Sequence, residues 1–367
     1  MQKIYVTKMR NKHLIAATLC LLASSAMAQT EVAPFIPGST LEGVSYFLPK
    51  TAFRIVVTAE KSVEKPGELN KYAERYMRLK DVPTKENTHW EMKSISIEPY
   101  GVPDKQKAYS IRIKSKTSAP LVGLSQEGIL LSINTDAEEE TLQAPPKGTQ
   151  PQEAKNPRSF MTQEMLAAGS VAKVAELCAQ EIYDIRDSRN ALVRGEADNT
   201  PKDGAQLQLM LNQLDIQAEA LESLFKGTIQ KNTEVFCLYY TPDKETDKDI
   251  LFRFSSKLGV VDSDDMAGSP IYVSVKVLET LPEAVYDEQT EKKKEKKKEK
   301  MEKGVYYNVP SRARLTVFTP EKELGSIETP MGQFGAVEIL SSALFDKKLN
   351  TKVTFFQTTG GVKDVME

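Results

Sequence analysis

Histidine is nearly missing from this chain of 367 residues, which has two, and His13 falls in a hydrophobic leader. Imidazole is the commonest general base near neutral pH and a favoured metal ligand, so any such chemistry in the remaining chain would fall to His89 alone. Cysteine is almost as scarce, at three. With Cys20 in the leader, Cys178 and Cys237 remain, and neither has the CxxC or HExxH spacing of a zinc site. No G-x-x-x-x-G-K-[ST] or G-x-G-x-x-G stretch offers a phosphate cradle. Charge of either sign is not in excess: the formal net charge is −2, which gives no general attraction for nucleic acid or anionic lipid. Beyond the leader, no window approaches the roughly 20 apolar residues that a membrane-crossing helix requires.

The leader itself is present. Lys8, Arg10 and Lys12 precede the apolar run Leu14 to Ala23, and Ala26 with Ala28 offers a small-x-small cleavage site. This pattern over residues 1–28 predicts a signal peptide and export to the periplasm or another envelope compartment, with Met9 as an alternative start. Cys20 follows Leu19 rather than a small residue, which disfavours a lipid anchor. In an oxidising compartment Cys178 and Cys237 form a possible disulfide; burial of each as a small apolar side chain is the other reading.

Periodicity predicts an α+β fold with two β-rich portions separated by a central αα-hairpin. In residues 41–135, "YSIRIK" and "GILLSIN" alternate with period two, while "PGELNKYAERYMRL" repeats Leu69, Tyr72, Ala73, Tyr76 and Leu79 at helical spacing. Residues 136–159 are polar and proline-rich, as expected of a linker or mobile loop. Within 160–227 two helical stripes follow, Val171 to Leu192 and Leu207 to Phe225, joined by a loop short enough to fold the second back on the first. Period two returns in 228–362 with "DILFRFS" and "IYVSVKVL", and a Lys/Glu-rich insertion at 291–303 reads as a solvated charge run. The chain length permits about two domains of typical size, each able to bury a core of its own.

One echo links the two portions. "GVSYFLPKTAFRIV" from Gly43 and "GVYYNVPSRARLTV" from Gly304 share Gly, Val, Tyr, Pro, Ala and Val at matching positions. Both describe an extended segment broken at a proline and resumed as a strand, and the question of true duplication stays open. "SYFLPKTAFRIVVTAEK", "KPGELNKYAERYMRLKDV" and "WEMKSISIEPYGVPDKQKAYSI", with the central "AELCAQEIYDIRDSRNALVRGEADNTPKDG", resemble an uncharacterised secreted envelope family catalogued as domain of unknown function 4831. That resemblance implies an exported unit and brings no catalytic residue or cofactor.

Individual candidates for chemistry are few. His89 beside Trp90 reads as a strand-edge histidine, and Trp90 as a core residue. Ser125 in "GLSQEG" lacks the second glycine of a nucleophile elbow, since Glu127 stands there. Asp262, Asp264 and Asp265 suit a hard cation, yet depart from EF-hand spacing and read more simply as a turn. Tyr239, Tyr240, Tyr306 and Tyr307 fit a groove or strand packing. The expected function is non-enzymatic binding or scaffolding of an envelope protein or glycan, with no catalytic, cofactor or metal residue assigned. A carboxylate-dependent glycan hydrolase is the alternative.

Overall fold

The computed structural model describes residues 31–34, 43–112, 121–150, 155–279, 304–341 and 351–366. The signal peptide, the Lys/Glu-rich insertion and residues 151–154 of the proposed linker lie outside these residues. The fold is α+β and rich in β structure. The first sheet holds β1 (Glu31–Pro34), β2 (Gly43–Lys65), β3 (Asn87–Arg112) and β6 (Thr228–Tyr240), ordered β1-β3-β2-β6. A second sheet runs β11-β10-β9-β7-β8, from β7 (Thr246–Ser255), β8 (Gly259–Val261), β9 (Ser269–Val277), β10 (Gly304–Phe318) and β11 (Glu323–Ser341). A third, smaller sheet runs β13-β12-β5-β4, from β4 (Val122–Leu124), β5 (Leu130–Ile133), β12 (Lys352–Phe355) and β13 (Val362–Met366).

The first two sheets face one another. Alternation on β2 sends Phe53, Ile55 and Val57 to one side, where they meet Phe252, Ile271, Val273, Val275, Ala313, Leu315 and Val317 from the second sheet. The early hairpin and the late sheet therefore share one core. The third sheet closes a second core with Tyr46, Leu48, Ile111 and Val305, again mixing both ends of the chain. Burying side chains of this size contributes about 1.5–3 kcal/mol each, and here the gain depends on both portions being present.

The quoted echo has a structural counterpart, one residue out of step with its letters. On β2, Phe47 pairs with Ala108 and Pro49 with Pro103, so Leu48 stands opposite Asp104 to Lys107. On β10, Val309 pairs with Ala336 and Ser311 with Met331, so Pro310 stands opposite Gly332 to Gly335. Both strands thus carry the same one-against-four irregularity, which matches Leu48 to Pro310 and Phe53 to the core residue Leu315. The letter match would pair Phe53 with exposed Arg314 instead. Because side chains alternate with period two, that one-residue slip reverses every face.

The two irregularities meet. Asn308, fully buried, donates from Nδ2 to the Pro49 carbonyl at 3.0 Å and to the Thr359 carbonyl at 2.8 Å. Thr51 donates its hydroxyl to the Thr358 carbonyl at 2.9 Å, and its backbone N–H donates to Gln333 Oε1 at 2.9 Å. Backbone groups freed by the bulges are satisfied across the sheets by this node.

The helices form a separate cluster. These are α1 (Ala73–Met77), α2 (Gln163–Ala167), α3 (Val171–Arg194) and α4 (Gly204–Lys226). Ser170 caps α3 by accepting from Lys173 N at 3.2 Å, and Gly195 at φ 70° ends it by donating to the Ala191 and Leu192 carbonyls. Asp203 caps α4. Ion pairs Arg186–Glu222 and Arg189–Asp215 run in opposite sequence sense, so α3 and α4 lie antiparallel. Their core of Cys178, Ile182, Leu221, Leu224 and Phe225 also takes Leu69, Ala73 and Met77 from the segment between β2 and β3.

Candidate ligand pocket

Residues 136–150 have no regular secondary structure, yet they have a defined path. Glu140 N donates to Gln357 Oε1 at 2.7 Å, Arg54 donates to the Gln143 carbonyl at 2.6 Å, and Thr233 N donates to the Thr149 carbonyl at 3.2 Å. The segment is a strap across the outer face of the first sheet, from the third sheet over β2 to β6. Arg54 is the pin that holds it. The residue is 5% exposed and its guanidinium pairs with Glu98 on β3, so one buried cation joins the sheet to the strap.

Where the strap leaves the third sheet, a cavity of about 310 Å³ opens over Pro99 to Gly101 of β3. Three segments converge on it: Gln126 and Glu127 of the β4–β5 turn, Glu139 to Leu142 of the strap, and Gln357 with Thr358 of the β12–β13 turn. Gly101 makes the last approach possible. A Cβ there would lie 2.0 Å from the Gln357 carbonyl oxygen, so only glycine lets the turn come this near.

The lining is aromatic and acidic. Tyr100 forms a wall and meets the exposed Tyr239 ring edge-on at 6.1 Å between centroids. Its phenol is held above the usual range by burial, then by Tyr239 and the Glu127 carboxylate. Glu139 accepts weakly from Gln126 N, at 3.3 Å for the nearer oxygen, and Glu140 lies 3.7 Å from Lys363. Among the described residues Glu127 has no ion-pair partner. Such a site offers several acceptors beside an apolar ring face, which suits hydroxyl groups on a C–H-bearing scaffold or a cation.

Tyr239 apart, the residues singled out from the sequence lie elsewhere. His89 is exposed on β3 opposite Ser62. Trp90 is buried: it stacks under Lys61, with Nζ 5.4 Å from the ring centroid, and against Gly259, whose φ of 81° and missing Cβ admit the indole. Ser125 closes a tight turn, its Oγ accepting from Ile129 N at 3.0 Å. Asp262 and Asp265 belong to a turn in which Asp265 N donates to the Asp262 carbonyl and Ala267 N donates to Asp265 Oδ1. Among the described residues, no three His, Cys, Asp or Glu side chains group to hold an ion. Tyr306 stacks on Tyr109 at 4.3 Å beside buried Tyr46, as core packing, while Tyr240 faces the sandwich interior.

Cys178 and Cys237 are not brought together; both thiols are free. Cys178 sits in the helical core with its Sγ 3.8 Å from Met165 Sδ, and Cys237 lies on β6 opposite Val56. Cys178 belongs to the helical cluster, whereas Cys237 alternates with Phe236 and Leu238, which face the sandwich core. Sequence reasoning missed Tyr100, Glu127, Glu139, Glu140 and Gln357. The nearest signal was Gly101 between Pro99 and Pro103 in a strand-like stretch, a position with no reason to be glycine unless another backbone comes close.

Comparison with known proteins adds one finding. The family model described as Domain of unknown function (DUF4831) matches residues 42–363, spanning every sheet and the helical cluster. No curated protein and no solved structure matches the chain.

Proposed function

The chain belongs to the family of domain of unknown function DUF4831, and we propose that it is an exported cell-envelope protein that binds a glycan in the pocket over Tyr100. Export is supported by the basic, apolar and small-residue pattern of residues 1–28. Binding rests on one observation above others: three distant segments of chain converge around an aromatic wall with carboxylate and amide side chains turned to the same cavity. Sugar rings present C–H faces to stack on Tyr100 and hydroxyls to donate to Glu127 and Glu139. Gln357 has its Oε1 engaged by Glu140 N, which leaves its amide N–H groups to donate.

The test is retention of envelope-derived oligosaccharides on the immobilised protein, followed by isothermal titration. Wild type is expected to bind saturably, and Tyr100→Ala to weaken binding about five-fold or more, on the scale of about 1–3 kcal/mol for a ring stacked on an aromatic side chain. Failure of wild type to retain any oligosaccharide, or equal binding by Tyr100→Ala, overturns the reading. The presence of Glu127, Glu139 and Glu140 in one cavity also keeps a hydrolase in view. Appearance of shortened oligosaccharides that Glu127→Gln or Glu139→Gln abolishes would replace binding with turnover.

A further inference from the structure

A second cavity, of about 490 Å³, enters the sandwich from its opposite side, between β3 and the β10–β11 turn. Met92 and Ile95 of β3, Phe254 of β7, Ile271 of β9 and Leu324 of β11 give it an apolar inner surface, and Ser94, Ser256, Ser269 and Thr319 line it beside them. Ile271 is 3% exposed and belongs to the shared core, with the other four packed against it. The crevice is thus a half-open groove whose floor reaches the buried core at Ile271. Its size falls within the ~300–1,000 Å³ of small-molecule sites, and its character matches their mostly apolar lining.

The rim has three charged side chains, and two are already engaged. Lys93 is held by Glu91 at 2.7 Å and Glu60 at 3.5 Å. Glu323 is turned to the Ser326 hydroxyl, which donates to it. Lys322, exposed in the β10–β11 turn, has no side-chain partner among the described residues. Its backbone is fixed instead: Thr319 N donates to the Lys322 carbonyl at 2.8 Å, and Lys322 N donates to Thr319 Oγ1 at 3.2 Å. The turn therefore anchors the backbone from which the Lys322 side chain extends beside the groove.

We propose that this crevice binds a single-chain amphiphile, its aliphatic tail against Met92, Ile95, Phe254 and Ile271 and its anionic head at Lys322. A cationic head would meet the uncompensated charge of Lys322 at the rim, and a wholly apolar ligand would leave Lys322 unused. The site is separate from the pocket over Tyr100, and neither depends on the other.

Isothermal titration of the full chain with octanoate, decanoate and dodecanoate, below their micellar concentrations, tests it. Affinity should rise about four-fold per added methylene, as burial of each contributes about 0.8 kcal/mol. Dodecanoate should bind more tightly than dodecanol, by up to about five-fold, the contribution of an ion pair at a solvent-accessible rim. Lys322→Glu should erase that preference, leaving dodecanol binding unchanged. Ser256→Phe, at an exposed lining position, should block both ligands, with circular dichroism confirming that it folds. Absence of saturable binding to wild type, no dependence on chain length, or a dodecanoate preference that survives Lys322→Glu would overturn the proposal.

Discussion

Replacing Gly101 by alanine tests the construction of the pocket most sharply, because the insult is one methyl group aimed at backbone. The new Cβ would stand 2.0 Å from the Gln357 carbonyl oxygen, 2.8 Å from its carbon and 3.2 Å from Thr358 Cα. No side-chain rotation relieves this, so the β12–β13 turn must withdraw by about 1 Å or more to restore an ordinary contact. Withdrawal stretches the 2.9 Å bond from the Thr51 hydroxyl to the Thr358 carbonyl and the 2.7 Å bond from Glu140 N to Gln357 Oε1. Overpacking costs about 1–3 kcal/mol and loss of the Thr51 bond about 1 kcal/mol. The expected destabilisation is therefore about 2–4 kcal/mol, read by urea denaturation with the fluorescence of buried Trp90 as probe. Gly204→Ala serves as control. Nothing lies within 4 Å of that position, so its effect should stay within about 0.5 kcal/mol. If Gly101→Ala is as stable as the control, the close approach of the turn to β3, and with it the pocket's third wall, is refuted.

Other expectations concern the node, the strap and the helical core. Asn308→Ala removes two donors from buried carbonyls, each orphan costing about 1–3 kcal/mol, but also removes the Asn308 Oδ1 that has no partner; a net loss of about 1–3 kcal/mol in urea denaturation is expected, and no loss would show that the two bulges do not lock one another. Arg54→Met breaks the charged bond to the Gln143 carbonyl and frees half-exposed Glu98 to water, so hydrogen exchange across residues 140–150 should quicken by ten-fold or more, with β6 residues beyond Thr233 little changed. Burial, then the Glu181 charge, pushes the Cys178 thiol up to about 11 from 9.0. Since the folded thiol holds its proton more tightly than the unfolded one, its contribution is complete below pH 9 and is lost as pH rises toward 11. Cys178→Ala should therefore flatten the stability profile over that window relative to wild type.

The local grammar of the fold was legible. Ile271, Val273 and Val275 alternate and are all buried, and the apolar stripes of 171–192 and 207–225 are helices with capping serine, aspartate and glycine. Pairings between distant segments were not. "PYGVPD" contains Pro99, Gly101 and Pro103, yet all six residues belong to β3; Pro99 to Pro103 lie beyond the reach of β1, which pairs only with Tyr109 to Arg112, so on that unpaired side the missing proline N–H groups cost little. The strap has no periodic signal, and its position comes from Arg54, Gln357 and Thr233, each remote in sequence. The echo illustrates the limit well. Its letters matched and its architecture matched, but identity of letters could not reveal a one-residue offset that only strand register defines.

Hydrogen exchange of the full chain, with and without a saturating envelope oligosaccharide, bears most directly on the proposed role. Protection should grow together at residues 99–101, 126–127, 139–142 and 357–358, and leave Met92 to Ile95 and the helical cluster unchanged. Protection confined to α3 and α4, or to the apolar crevice, or found nowhere, would contradict a glycan site over Tyr100.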